Sequence, residues 1–518
     1  MKTLPDEKAW NFHVLLDRVV LLGLQAKRLA AIVALAVVTT LVVSNTGYAQ
    51  SNTTGTISGK VDAGVTVTAV SVDTGYTRSI TTSGNGTFVI TSLPPGRYTV
   101  TAEGEEAIAT VDVALATTTD VSFASSDIIL LEKFQVSGAL FNPIDFGRTE
   151  SVTIFNAAKL EKLPVARNTT AISLMAPGTV ESDPGFPNLV SFGGASVAEN
   201  AYFVDGFNLS DFRTGTKPMQ VPYEAYDQFE IKTGGYSAEF GRSLGGIVNA
   251  TTKSGTNTYK AGANVYYTPD AGYEDRPDKF YTDQDGNRGE VWQINSEDER
   301  ERLDANVYAS GPIIKDKLFF YGLYNVRDIQ NTDVISGGTR IRRQKSDDPF
   351  YLGKITAIPF SGHTLDVTYM KAERITTNTD SDYDPVARRD LGTSPSLITS
   401  TLGGEVKIGR YVGNITDNLT VSAMYGEGEN ALSTLSDVDT QPLVLDARSG
   451  SSQRLSGSTS IVQTGLDTRK AKRFDVTYNF SLMGEHQLRA GFDSETNTSA
   501  DNSAYSGGVY HRYIAATP

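Results

Sequence analysis

The sequence has no cysteine at any of its 518 positions. Disulfide staples and thiolate metal sites are therefore unavailable to it. Histidine is nearly as scarce: there are four, at 13, 363, 486 and 511, and none opens an H-E-x-x-H. The clustered His and carboxylate ligands of a zinc peptidase are missing. An excess of positive charge is missing too. Against 60 Asp and Glu stand 46 Lys and Arg, a formal net charge of −14. This argues against nucleic acid as a partner, because binding phosphate needs a basic face. Beyond the N-terminus no run approaches the roughly 20 apolar residues of a membrane-spanning helix. If this chain lives in a membrane, it crosses as strands.

What is present favours strands and turns. The composition is rich in Gly, Thr, Ser, Asn, Tyr and Val and poor in helix formers. The length predicts about three to four domains. At the start, Lys27 and Arg28 precede the apolar run LAAIVALAVVTTLVV, Leu29 to Val43, followed by small residues up to Ala49. A basic flank, a short apolar run and a small-residue exit read as a signal peptide over 1–49. An uncleaved anchor is the competing reading.

From Gly55 to about Phe123 short segments alternate apolar and polar residues between Gly and Pro, for example GVTVTAVSV and GTFVITSL. About seven strands at this spacing predict a small sandwich over 50–124. The stretch GNGTFVITSLPPGRYTVTAEG resembles the carboxypeptidase regulatory-like domain, an Ig-like or transthyretin-like fold, with Gly86, Phe88, Ile90, Leu93, Pro95, Gly96, Tyr98 and Val100 on its pattern. That superfamily includes carbohydrate binders. No cluster of aromatics supports sugar binding here, and a periplasmic spacer is the expectation.

SSDIILLEKFQVSG, Ser125 to Gly138, is a short extended apolar pattern between domains. Such a segment can add a strand to a partner's open sheet edge. It resembles the TonB box of TonB-dependent outer-membrane receptors, which makes Leu131, Glu132, Lys133, Phe134, Gln135, Val136 and Ser137 candidates for TonB contact. A last sandwich strand would look the same. Residues 139–252 then read as a strand, two short helices, a tight glycine turn, an Asp-Gly turn and a glycine-rich close, GGYSAEFGRSLGGIVNATTKSG. In order, they resemble the plug domain of TonB-dependent receptors, in particular the Oar-like branch. Arg167, Gly193, Gly194, Asp205, Gly206, Gly235, Glu239, Gly241, Arg242, Gly245 and Gly246 fall on that pattern. The resemblance implies that the closing glycines let the last plug strands turn with φ > 0 and approach the barrel wall closely. Glu239 and Arg242 are either part of a buried charge network or a local ion pair capping a turn.

Residues 253–518 alternate as strands of about ten residues. Short connections, IIKD, SG, NITDN and MGE, alternate with long polar loops at 269–302, 328–349, 373–400 and 427–472. Unequal turns on the two ends of alternating strands are a mark of transmembrane barrels, whose strands must close on themselves in lipid. About nine or ten strands are expected here, whereas a lumen that holds a plug needs roughly 22. The fold class is therefore mostly β: a small Ig-like/transthyretin-like sandwich, an α+β plug, and the N-terminal part of a roughly 22-stranded transmembrane antiparallel β-barrel. The chain is read as a truncated piece of a receptor. DQDGNRGE, 283–290, and SDYDP, 381–385, lack the full ligand spacing of a calcium loop and read as solvated turns. Basic TRIRRQKSDD, 339–348, is expected to balance acidic loops rather than bind lipopolysaccharide.

No catalytic, metal or cofactor site is expected. The resemblance implies energy-coupled uptake of a scarce solute (siderophore, cobalamin or oligosaccharide) across a bacterial outer membrane. The implied partners are TonB with its inner-membrane energy-coupling complex, outer-membrane lipid and lipopolysaccharide. Two alternatives remain open: an Oar-like adhesion or export protein without solute uptake, and a secreted soluble sugar binder.

Overall fold

The computed structural model describes residues 53–123 and 151–515, apart from short breaks at 105–107, 163–164, 184–185, 187–188, 217, 238, 242, 282–288, 290, 336–337, 394–395, 449–452, 457–461 and 482–484. The signal peptide, the TonB-box-like stretch and most of DQDGNRGE lie outside the described residues.

Seven strands build the N-terminal sandwich: β1 (Gly55–Lys60), β2 (Thr66–Ser71), β3 (Thr77–Thr81), β4 (Thr87–Leu93), β5 (Gly96–Ala102), β6 (Ile108–Val113) and β7 (Thr118–Ser122). One sheet runs β4-β1-β7, with β1 and β7 parallel; the other runs β3-β2-β5-β6. The period-2 pattern buries Val67, Ala69, Phe88, Ile90, Tyr98 and Val100 between the sheets. The Val, Ile and Phe side chains among them contribute about 1.5–3 kcal/mol each by leaving water. Tyr98 stays satisfied by donating its hydroxyl to the Pro94 carbonyl at 2.8 Å.

The plug follows with β8 (Ser151–Asn156), two short helices (Ala157–Leu160 and Thr169–Ser173), β9 (Thr179–Glu181), β10 (Val190–Phe192), β11 (Ala201–Val204), β12 (Phe207–Asn208), β13 (Tyr226–Gly234) and β14 (Ile247–Thr252). Asn156 and Asn168 start the two helices by accepting from Lys159 N and Ala171 N, as N-caps do. Five strands form one mixed sheet, β12-β11-β14-β13-β8, with β11 and β14 parallel. Its central strand β14 is buried along its whole length.

The rest of the chain is dominated by one antiparallel sheet. Its strands are β15 (Lys260–Thr268), β18 (Glu299–Ile314), β19 (Leu318–Ile335), β20 (Arg340–Ser346), β21 (Phe350–Ala357), β22 (His363–Lys371), β23 (Arg374–Asp384), β24 (Arg389–Asp390), β25 (Ser396–Gly403), β26 (Glu405–Asn414), β27 (Leu419–Ser436), β30 (Val462–Ser481) and β31 (Glu485–Ala504). The small pairs β16 (Lys279–Phe280) with β17 (Val291–Gln293), and β28 (Leu443–Asp446) with β29 (Gln453–Ser456) and β32 (Tyr510–Tyr513), stand apart from it. Several labels name halves of one long stave. Both β20 and β21 pair with β19, β22 and β23 continue each other against them, and both β25 and β26 pair with β27. Among the described residues β15 pairs only with β18 and β31 only with β30, so this sheet is an open wall.

The wall departs from expectation in strand length. β19 and β27 have 18 residues each and β30 and β31 have 20, where strands of about ten were expected. Much of 328–349, 373–400 and 427–472, read above as loop, is strand. The reason lies in what faces outward. Leu365, Val367 and Tyr369 on β22, Tyr425 on β27, and Phe474 and Tyr478 on β30 are exposed apolar residues. Past this band the outward face turns to paired charges: Lys371–Glu373 at 2.9 Å, Glu405–Lys407 at 3.6 Å and Glu427–Lys470 at 2.9 Å. Above the band the ladder continues on backbone bonds, with polar residues on both faces. Between Lys470 and the start of β30 at Val462 it rises by roughly 27 Å.

One apolar core joins plug and wall. Phe155, Ile172, Phe192, Phe207, Phe229 and Ile231 of the plug pack with Tyr321, Leu323, Phe350, Leu352, Met370, Val406 and Ile408 of the wall. The plug is thus seated against the inner face of the sheet.

Candidate functional site: the seam between plug and wall

β11 ends at a two-residue turn, Asp205–Gly206, where both residues have positive φ, 48° and 86°. This is the primed-turn geometry that an Asp-Gly pair adopts most readily. The turn aims the Asp205 carboxylate away from its own hairpin. Within the plug it accepts from Thr252 N at 2.9 Å and from Thr252 Oγ1 at 2.6 Å. From the wall it accepts from Thr368 Oγ1 at 3.1 Å and from Lys354 Nζ at 3.4 Å. Lys354 also donates to Thr252 O and Oγ1, at 3.3 and 3.2 Å. The Asp205 and Lys354 side chains are each only 3% exposed. Beside them Arg410 grips Asp366 at 2.6 Å, and Thr356 donates to the same carboxylate at 2.8 Å. A carboxylate with four donors, one of them cationic, is well satisfied in a dry place.

Four further charged groups lie on the seam. Arg167 forks onto Glu224 Oε1 at 2.9 and 2.6 Å, while its guanidinium lies between the rings of Tyr223 and Tyr266, 4.3 and 4.2 Å from their centroids. Tyr266 belongs to β15, so this stack spans plug and wall. Glu239 pairs with Arg489 of β31 at 3.1 Å, and Arg489 also faces Asp475 at 3.5 Å. Higher up, the plug loop after β12 is held by two arginines. Arg213 donates to Asp467 at 3.1 Å and pairs with Asp501 at 3.0 Å. Arg469 of β30 donates to Ser210 O at 2.9 Å and lies over the Phe212 ring.

The other candidate residues divide by place. Gly193 and Gly194 take φ of 59° and 83° in the turn after β10. Gly235 takes φ of 70° after β13. A Cβ on Gly246 would sit 2.2 Å from the Phe192 ring, and one on Gly245 would sit 2.4 Å from Asn200 Oδ1. Gly246 therefore admits Phe192 of β10 and Gly245 admits Asn200 just before β11, so for these two the neighbour is the plug itself and not the expected barrel wall. The close approach to the wall is at Gly255, where a Cβ would meet Phe320 O at 2.3 Å. Gly241 has ordinary φ and open space around it, and nothing in the structure explains it. Arg242 and residues 131–137 lie outside the described residues. The cross-seam partner of Glu239 is thus Arg489.

Outside the apolar band, TRIRRQKSDD meets the acidic strand opposite it: Arg340–Asp382 at 2.8 Å, Arg342–Asp380 at 2.7 Å and Arg343–Asp390 at 2.7 Å. Asp278, at the base of the β16–β17 hairpin, is also clamped. Burial works against its charge, but amide donation from Ser296 and Asn295 and the Arg388 guanidinium outweigh it and hold its carboxyl at about 2. Among the described residues no group of three or more His, Asp or Glu is placed to hold a metal ion, and no helix is long and apolar enough to cross a membrane.

Sequence reasoning missed Lys354, Asp366, Thr368, Arg410 and Arg489. One signal was available. In FYLGKITA, Lys354 falls on the same face as Phe350 and Leu352, so a lone lysine points where apolar residues point.

Comparison with known proteins matches this architecture. Residues 53–126 match the carboxypeptidase regulatory-like domain, and residues 147–247 match the TonB-dependent receptor plug domain. With the wall of antiparallel strands beside the plug, these matches support a TonB-dependent receptor of the bacterial outer membrane that carries an N-terminal regulatory-like domain. Among curated proteins it is similar to the TonB-dependent transporter Oar of Myxococcus xanthus, 28% identical over 374 residues, covering 63% of this chain and 34% of that protein. The chain thus spans about a third of that relative's length. Similar solved structures include the ferripyoverdine receptor of Pseudomonas aeruginosa, at 14% identity and TM-score 0.46 over 69% of this chain and 44% of that one. The outer-membrane transporter YddB of Escherichia coli is another, at 14% identity and TM-score 0.43 over 68% of this chain and 55% of that one.

Proposed function

We propose that the protein serves energy-coupled uptake of a scarce solute across the outer membrane. In this reading residues 1–49 direct export and are removed. Residues 125–138 pair as a strand with TonB, and the inner-membrane energy-coupling complex pulls on them. The pull displaces the plug of 139–252 from the barrel begun by 253–518. The observation that carries the reading is the seam. Asp205–Lys354, Arg167–Glu224 and Glu239–Arg489 fasten plug to wall or lie along their contact as polar bonds, which water can replace one at a time.

The test is deletion of Glu132 to Ser137 in the natural gene. Uptake predicts that cross-linking to TonB disappears and that growth on whichever nutrient requires the intact gene stops. Persistent growth and surface adhesion in the deletion strain would instead favour an anchor that acts without solute passage.

A further inference from the structure

The N-terminal sandwich is seated across the end of the wall where the short turns lie. It meets them one after another. Ser361, in the turn between β21 and β22, donates to Thr77 O at 2.7 Å. Asn414, at the next turn, donates to the Tyr76 hydroxyl at 3.0 Å, and Arg78 donates to Asp417 O at 3.3 Å in that same turn. Asn479, near the end of β30, reaches Thr91 Oγ1 at 3.4 Å. The contact is apolar as well, because Phe319 and Ile358 of the wall are buried in the sandwich's own core cluster. One small domain therefore holds β19, β26 and β30 together with the turns that join β21 to β22 and β26 to β27.

The same domain also touches the plug. Leu115 N donates to Gln228 Oε1 of β13 at 3.0 Å. Thr53 accepts from Arg410 at 3.4 Å, and its methyl lies 3.4 Å from where a Cβ on Gly206 would be. Thr53 thus leans on the turn that presents Asp205 to Lys354. A plug leaving through the short-turn end meets this domain first.

We propose that the sandwich is a periplasmic clasp: docked on the short-turn rim, it restrains the plug within the wall and has to undock before the plug can leave. The restraint stands on the contacts above; the need to undock in the cell rests on the uptake reading.

The absence of native cysteine gives a clean test. The pair Thr91→Cys/Asn479→Cys is joined by a short thiol-reactive cross-linker in the full chain in detergent. Hydrogen exchange of the β13 and β14 amides is then compared with and without the cross-link. The clasp predicts that closure slows that exchange by about tenfold, since plug opening would first require undocking. Gln228→Ala, which removes the acceptor of Leu115 N, should speed it severalfold. A control pair in the wall alone, Ser400→Cys/Thr434→Cys, should leave plug exchange unchanged. Failure of Thr91→Cys and Asn479→Cys to react with each other overturns the docking. Equal exchange with and without their cross-link, or equal slowing by the control pair, overturns the clasp. Neither TonB nor a solute takes part, so failure of the uptake reading leaves this outcome untouched.

Discussion

Replacing Lys354 with Met is the sharpest perturbation of the seam. The pair it breaks is 3.4 Å apart and both side chains are 3% exposed. At an effective dielectric of roughly 20 the gross attraction is about 5 kcal/mol. Removing one member of a buried pair costs about 3–5 kcal/mol, because the remaining charge is stranded. Here Asp205 keeps three donors, Thr252 N, Thr252 Oγ1 and Thr368 Oγ1, which favours the lower end. A loss of about 3 kcal/mol in plug opening should speed exchange of the β14 amides by roughly two orders of magnitude. The double variant Asp205→Asn/Lys354→Met removes both members of the pair and should recover most of that loss. Exchange measured by mass spectrometry on the four proteins of the cycle decides the matter. If the single and double variants differ by no more than the Asp205→Asn change alone, the two residues act independently. The pairing would then hold nothing.

Three shorter predictions follow from the same contacts. Gly246→Ala forces a methyl onto the buried Phe192 ring, so the plug should lose about 1–3 kcal/mol to overpacking; an unchanged melting temperature would contradict this. Arg167→Lys keeps the charge but loses the fork onto Glu224 and the stack between Tyr223 and Tyr266, at a cost of about 1–2 kcal/mol read by urea titration. Asp278 has its carboxyl lowered from 3.8 to about 2 in the fold. Its stabilisation is therefore complete above pH 3.8 and lost as pH falls through about 2. Pepsin nicking of the β16–β17 hairpin should rise across that window, and Arg388→Met should move the rise to higher pH.

Legibility followed burial. The sandwich strands were visible because each buries one face, so GTFVITSL and GRYTVTA alternate clearly. The Asp-Gly turn announced itself through backbone chemistry. The upper staves did not, because neither face there meets lipid or core. ENALSTLS in β27 and SETNTSADNSA in β31 carry no apolar alternation, and the ladder there is held by backbone bonds and polar cross-strand partners. The seam was only half legible for another reason. Asp205 lies 149 residues from Lys354 and 163 from Thr368, so no local pattern joins them. Only the register of the wall, with every second residue turned inward, brings them together. The glycines of the plug's close were read as needing space against the wall; that neighbour is right at Gly255, which meets Phe320, but at Gly246 and Gly245 it is Phe192 and Asn200 of the plug itself.

The composition of the seam bears on how a plug can be both tight and removable. An apolar seat alone holds in proportion to its buried area, about 25 cal/mol per Å², and resists until most of that area is exposed together. The seat around Phe207 and Phe229 is of this kind. The charged contacts behave differently. A buried pair contributes little net stability compared with an apolar one of equal size, yet it fixes position, because any misregistration strands a charge. Asp205 can meet Lys354 and Thr368 in one register only. Once the plug shifts and water enters, each broken bond is replaced by a bond to water, so the resistance falls in steps. A plug seated by apolar area but registered by charges is therefore hard to misplace at rest and progressively easier to move once pulled. For that to serve uptake, the first step has to be prevented when nothing pulls. That role fits a small domain gripping the rim of the wall and the base of the plug together.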